Sequence, residues 1–288
     1  MRLVFVHAHP DDESLWTGLA IAHHAARGDD VRVLTCTLGE EGEVIPVELR
    51  HLQLPADQPR AENTPDPLAD LRRDELQSAV KELGATEVTV LADGAYRDSG
   101  MAGTPSAAHP RAFTGTDLQV TSGSIAAYLR DVAPDNVVTY DAHGGYGHPD
   151  HIRTHEATRA AVASLPEPPA LYTVVTPRSW AVEDREWLAA HATRPEVIVP
   201  APEETFLPSV VDDATVTHTV VDDDALERQI SALLRHRTQV SVYDGYYTLS
   251  NNVATRLAAR EAFQRIDPAS GTVSAVEAEQ LRHTGLIA

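Results

Sequence analysis

The sequence is poor in lysine and cysteine, and each shortage closes a route. Lys81 is the only lysine among 288 residues. It falls in a run that reads as a surface helix, so a lysine Schiff-base mechanism is discounted. Cys36 is the only cysteine, which excludes an internal disulfide. It lies in the apolar run Val31-Arg32-Val33-Leu34-Thr35-Cys36-Thr37 and reads as a buried strand residue, not a nucleophile. Long hydrophobic runs are missing too. No stretch approaches the ~20 residues a membrane helix needs. The chain enters a strand at once, without the basic segment and apolar core of a secretory signal, so a soluble cytoplasmic protein is expected. Positive charge is scarce, with 23 Lys and Arg against 43 Asp and Glu and a formal net charge of −20. Nucleic acids and anionic membranes need basic patches. A small neutral or cationic substrate, or a metal ion, suits this chain better.

What is present is enough apolar material, 42% of residues, for one large α/β domain or a domain with an extension. Leu3–Val6 reads as a buried strand and Leu15–Ala26 as an amphipathic helix with Ser14 as its cap. Val31–Thr35 completes a βαβ unit with parallel strands. Pro67–Leu83 reads as a helix capped by Asp66 and stopped by Gly84. Strands are expected at Glu87–Leu91, Asn136–Tyr140, Leu171–Val175, Glu196–Val199 and Thr215–Val221. Helices are expected over Leu118–Val132, Ile152–Ala163 and Asp222–Arg235. Residues 93–116 form a loop long enough to suggest function. Residues 184–214 give no clear pattern. The expected fold is a Rossmann-like α/β domain over residues 1–165, with a mostly parallel sheet flanked by helices. Residues 166–288 form a smaller C-terminal portion that shapes and covers the site.

Two stretches carry chemistry, and both lead from a strand into a helix, where α/β sheets bind ligands. The first is Val6-His7-Ala8-His9-Pro10-Asp11-Asp12-Glu13-Ser14. It has no glycine-rich phosphate cradle and reads as a turn built for a cation. The second is Asp141-Ala142-His143-Gly144-Gly145-Tyr146-Gly147-His148-Pro149-Asp150-His151. A single His-Pro-Asp-Asp turn serves equally well as a helix cap. Two His-Pro-Asp elements at strand ends on one side of a sheet point to a metal. A catalytic zinc takes about three His or carboxylate ligands and leaves a position for water. His9 and Asp12 can reach one ion, and His151 is the best third ligand, with His148 and His155 as alternatives. The other histidines, His236 among them, read as solvated or locally bonded. Asp11 diverges from Asp12 and stands where a general base belongs. Tyr146 and His148 lie in a glycine-flanked loop able to fold over the metal, and Asp150 is suited to orienting His148 and raising its pKa.

These motifs resemble the LmbE-like or PIG-L zinc deacetylase family. Its hallmarks, Ala-His-Pro-Asp-Asp-Glu and a later His-Pro-Asp-His, stand here as Ala8–Glu13 and His148–His151. The resemblance runs over roughly residues 2–165 and extends weakly through 238–252. It implies His9, Asp12 and His151 as zinc ligands, Asp11 as base, and Tyr146 and protonated His148 as polarising and proton-donating groups. It further implies substrate contacts from Arg72 and Asp98. The likeness is strongest to the branch of mycothiol biosynthesis that removes acetate from N-acetylglucosaminyl-inositol. The alternatives are a mycothiol S-conjugate amidase, a general N-acetyl sugar deacetylase, or, from another class, a non-catalytic sugar- or nucleotide-binding module. The same ligand set also suits iron(II).

Overall fold

The computed structural model describes residues 1–55, 66–274 and 285–286. Strand β1 (Arg2–His7) leads into two short helices, α1 (Asp12–Trp16) and α2 (Gly18–Ala26), and then into β2 (Asp30–Thr35). The helix expected over Leu15–Ala26 is therefore broken at Thr17. Asp11, not Ser14, stands at the cap position. The break has a cause from the far end of the chain. Glu261 accepts the N–H groups of Leu19 and Ala20, at 2.9 Å each, and so starts α2 as a helix of its own.

Helix α3 (Pro67–Leu83) keeps its expected bounds. Asp66 accepts the Ala69 N–H at 3.2 Å, Pro67 needs no partner for a missing N–H, and Gly84 takes the left-handed φ of +80° that stops the helix. Strand β3 (Glu87–Val90), helix α4 (Leu118–Val132) and strand β4 (Asn136–Tyr140) follow. Next come a single turn, α5 (Gly144–Gly147), then α6 (Pro149–Ala163) and β5 (Ala170–Pro177). Helix α6 starts three residues before the expected Ile152, so His151 lies in its first turn.

The C-terminal half holds α7 (Arg178–His191), β6 (Val210–Val211), β7 (His218–Val221), α8 (Asp223–Leu233), β8 (Ser241–Val242), β9 (Tyr246–Thr248), β10 (Ala254–Arg256) and β11 (Arg260–Ile266). Glu196–Val199 is not a strand. Only Ile198 pairs, in one bridge to Val253, because Pro195 and Pro200 flank the segment and withhold donors from a ladder. Thr215 belongs to a tight turn capped by Asp212, which accepts the Ala214 N–H at 3.1 Å, so the strand begins only at His218.

The main sheet has the order β3-β2-β1-β4-β5-β11-β7, with β6 beside β5. Strands β3, β2, β1, β4 and β5 are parallel, and β11 runs antiparallel to both β5 and β7. This is the expected α/β class, with helices on both faces. The sheet continues across residue 166, so the C-terminal portion supplies strands to it. One core packs Phe5, Leu19, Leu76 and Phe263, and the other packs Val6, Phe113, Leu129 and Val137. Chain connections leave β1 toward β2 on one side and return to β4 on the other. That reversal opens a crevice at the carboxyl ends of β1 and β4. Cys36 is buried, and burial pushes its thiol up to about 12. Among the described residues no helix is long and apolar enough to cross a membrane.

Candidate active site

The two His-Pro-Asp turns meet in the crevice between β1 and β4. His9 Nδ1 lies 3.2 Å from His151 Nε2, and these atoms lie 3.4 Å from Asp12 Oδ2 and Oδ1 respectively. Tetrahedral zinc ligands about 2.0–2.1 Å from the ion sit roughly 3.3 Å from one another. The two histidine nitrogens stand at that spacing, and each has a different oxygen of Asp12 at 3.4 Å. Their outward contacts set the protonation this requires. His151 Nδ1–H donates to the Gly144 carbonyl at 3.2 Å, which leaves the Nε2 lone pair facing the cluster. His9 Nε2 faces Asp150 Oδ2 at 3.3 Å, which leaves Nδ1 facing inward. A carboxylate or carbonyl behind a ligating histidine is the usual means of fixing its tautomer. Burial works against charge on Asp12, but His151 and His9 outweigh it and hold the carboxyl well below its ordinary range. His148 offers a nitrogen within 4.8 Å of ligand atoms on His9 and His151 and remains a geometrically possible fourth member. His155 is engaged elsewhere, 2.8 Å from the Tyr140 carbonyl.

Asp11 takes no part in these contacts, and its Oδ2 instead accepts from Arg72 at 3.1 Å. Its φ of +112° is left-handed and strained for a residue with a Cβ. Burial, Arg72 and Asp12 act on its carboxyl together. Burial dominates, Arg72 opposes, Asp12 adds, and the result lies at about 7. Arg72 was expected to contact substrate, yet it is only 2% exposed. Its guanidinium donates to the Pro10 carbonyl, to the Gly39 carbonyl at 2.6 Å and to Asp11 Oδ2 at 3.1 Å. A Cβ at Gly39 would run into that guanidinium, so the glycine makes room for the arginine. Arg72 therefore braces the Pro10–Asp11 turn. Asp98 is likewise enclosed. It accepts the N–H of Gly100 at 2.8 Å and of Glu41 at 3.2 Å, and its Oδ1 lies 3.6 Å from His9 Nε2.

Asp150 differs from expectation. Its carboxylate orients His9 and accepts the Ser99 N–H at 2.9 Å, while only its main-chain N–H reaches His148, donating to Nδ1 at 3.2 Å. His148 therefore keeps its proton on Nε2. Burial, with the charges of His9 and His151, pushes its pKa down to about 3. An Nδ1 that accepts the Asp150 N–H cannot also carry a proton, so in this geometry the ring stands as the neutral tautomer. Tyr146 stands at the mouth, 43% exposed, its ring parallel to Trp16 with centroids 6.4 Å apart. Gly145 (φ +73°) lets the loop pass, since a Cβ there would strike the Trp16 indole.

The spacing of the two motifs gave no sign of several further residues. Tyr140 stacks on His151 with centroids 4.3 Å apart and accepts the Ala8 N–H at 2.9 Å. Glu13 and His236 are both fully buried and meet at 2.7 Å. Burial alone would deprotonate His236, but Glu13 outweighs it and holds the imidazole above its ordinary pKa. His236 is thus neither solvated nor locally bonded. Its partner is 223 residues away, which is why only the unusual third acid of the Asp11-Asp12-Glu13 run could have hinted at it.

Comparison with known proteins finds relatives over most of the chain. Residues 4–162 match the family model described as PIG-L: GlcNAc-PI de-N-acetylase. The chain is 46% identical over 259 residues to the 1D-myo-inositol 2-acetamido-2-deoxy-alpha-D-glucopyranoside deacetylase of Actinosynnema mirum, covering 88% of this chain and 87% of that one. It is 46% identical over 284 residues to the Rhodococcus jostii protein of the same name, covering 94% and 93%. Among solved structures, the zinc-inhibited form of teicoplanin deacetylase Orf2 shares the fold at a TM-score of 0.51 and 18% identity, covering 83% of this chain and 84% of that one.

Proposed function

The chain belongs to the PIG-L family of GlcNAc-PI de-N-acetylases, and on that premise we propose that it hydrolyses the N-acetyl group of 1D-myo-inositol 2-acetamido-2-deoxy-alpha-D-glucopyranoside in mycothiol biosynthesis. The observation that carries the chemistry is the convergence of His9 Nδ1, His151 Nε2 and Asp12 within 3.2–3.4 Å, with Asp11 beside them. His9, Asp12 and His151 would hold a divalent ion of the zinc class, with iron(II) as the alternative. When bound, the ion supplies Lewis acidity toward water and carbonyl oxygen.

Every other part of the reaction falls to side chains. Asp11 accepts a proton from the attacking water. A carboxyl near 7 is a far better base at neutral pH than an ordinary one. The Tyr146 hydroxyl, which burial keeps protonated well past its ordinary value, donates to the carbonyl oxygen as negative charge grows on it. His148 Nε2–H adds a second neutral donor. Asp11, having gained a proton, then returns it to the departing amine. Arg72 and Asp98 shape the walls of the site, and the C-terminal portion covers it.

The test is kcat/KM on one preparation for three substrates: the glucosaminyl-inositol amide, free N-acetylglucosamine and a mycothiol S-conjugate. Sites that hydrogen-bond substrate hydroxyls strongly reject analogues that lack them, so the inositol substrate should be fastest by a wide margin. A preference for the S-conjugate would overturn the reading in favour of the amidase. Equal rates on the simple sugar would leave only a general deacetylase.

A further inference from the structure

We propose that Glu13, gripped by His236, is a positioning residue that holds Asp11 in its working pose, an inference that rests on Asp11 being the base. Asp11 sits at φ +112°, a backbone conformation that L side chains rarely adopt, and something must hold it there. The Asp11 N–H donates to Glu13 Oε2 at 3.0 Å. The other oxygen, Oε1, accepts from Ser14 Oγ at 2.5 Å and from His236 Nε2 at 2.7 Å. Glu13 and His236 are fully buried, so neither can satisfy itself with water. A buried carboxylate with three donors around it has one stable orientation, and that orientation fixes the Asp11 amide.

The grip comes from the C-terminal portion and does not act alone. Two residues after His236, the Thr238 N–H and hydroxyl donate to Glu75 Oε1 and Oε2 at 3.1 and 2.6 Å. Glu75 lies one turn beyond Arg72 on α3, and Arg72 holds the Asp11 carboxylate itself. The Thr238 carbonyl accepts the Ile45 N–H at 2.9 Å, tying in the loop after β2. Gln229 on α8 donates to the Ser14 carbonyl at 3.0 Å. The segment from α8 to Thr238 thus clamps the backbone of the catalytic turn, and α3 clamps its side chain. Neither Glu13 nor His236 touches the reacting atoms. They act through the placement of Asp11.

The test separates reach from charge. Glu13→Gln keeps an oxygen for the Asp11 N–H, and its amide can donate to Ser14 Oγ and to the other tautomer of His236, whose Nδ1 has no partner among the described residues. Glu13→Asp keeps the charge but withdraws it by one methylene. kcat, KM and bound metal would be measured on the glucosaminyl-inositol amide, with thermal unfolding as a control. Because misplacing a catalytic group by about 1 Å costs on the order of 100-fold, Glu13→Asp and His236→Ala should lose about 30- to 100-fold in kcat with KM and metal content within about twofold. Glu13→Gln and His236→Gln should return to within about fivefold of wild type on the same scale. The inference is overturned if Glu13→Asp is the better of the pair, if the loss falls on KM, or if it follows loss of metal. Should His236→Ala not fold, the Glu13 pair decides alone. An inactive wild type would overturn the proposed function instead, whereas an active wild type with indifferent Glu13 variants overturns only this inference.

Discussion

The carboxylate of Asp150 lies 3.3 Å from Nε2 of His9, and this contact turns the opposite ring nitrogen toward Asp12 and His151. On the proposed reading, Asp150 acts on metal affinity through His9. Asp150→Asn should weaken binding of a zinc-class ion by about 10- to 100-fold, the usual cost of losing such a partner. Titration of chelated, metal-free protein measures this directly. Unchanged affinity in a folded variant would deny Asp150 that role.

Asp11 and His151 should part company on substitution. Asp11→Asn keeps the three converging ligands and should lower kcat by about 100-fold or more, the scale of general base catalysis. Its metal content should match wild type. His151→Ala removes a ligand and should arrive largely without metal. The reverse pattern, with Asp11→Asn empty and His151→Ala loaded, would exchange their assignments.

The pH profile follows from the surroundings of Asp11. Burial, tempered by Arg72, raises its carboxyl to about 7. The base works deprotonated, so kcat/KM should rise with pH and be lost as pH falls through the raised value, not near an ordinary carboxylate pKa. Arg72 favours the ionised form, so Arg72→Gln should move this limb to higher pH. Burial lowers the pKa of His148, and its Nδ1 accepts the Asp150 N–H, which suits the neutral ring. A basic limb should therefore persist in His148→Ala if one exists. Its disappearance would restore His148 as the proton donor that the sequence alone suggests.

Arg72→Lys should behave as a severe change. Lysine cannot reach the Pro10 carbonyl, the Gly39 carbonyl and Asp11 at once from one buried stem. Breaking a buried pair costs about 3–5 kcal/mol, so a fall in thermal stability should accompany a fall in kcat. A variant with normal stability and only a raised KM would mean that Arg72 meets the substrate after all.

Much of this was legible in the sequence, for a physical reason that also explains what was not. His9, Asp12 and His151 announce themselves because each lies at the junction of an apolar run and a helix, and local pattern fixes such junctions. Helix α3 was readable to the residue, since Asp66, Pro67 and Gly84 are local stops. What failed depends on partners distant along the chain. The break at Thr17 is imposed by Glu261, the burial of Arg72 by the loop at Gly39, and the Glu13 contact by His236. The pairing of Asp150 with His148 suggested by their spacing involves only the Asp150 backbone, while its side chain crosses to the turn after β1.

The adjacency of β1 and β4 has a further consequence for how such a protein can diversify. Both His-Pro-Asp turns hang from neighbouring strands of one sheet, so differences between relatives are expected to fall on the connecting loops more than on the strands. The loop after β2 and residues 93–116 are not free to vary throughout, because the Gly39 carbonyl accepts from Arg72 and the Ser99 N–H donates to Asp150. Changes of selectivity by loop replacement should therefore spare Gly39 and Ser99 and fall on the parts of these loops that make no such bond.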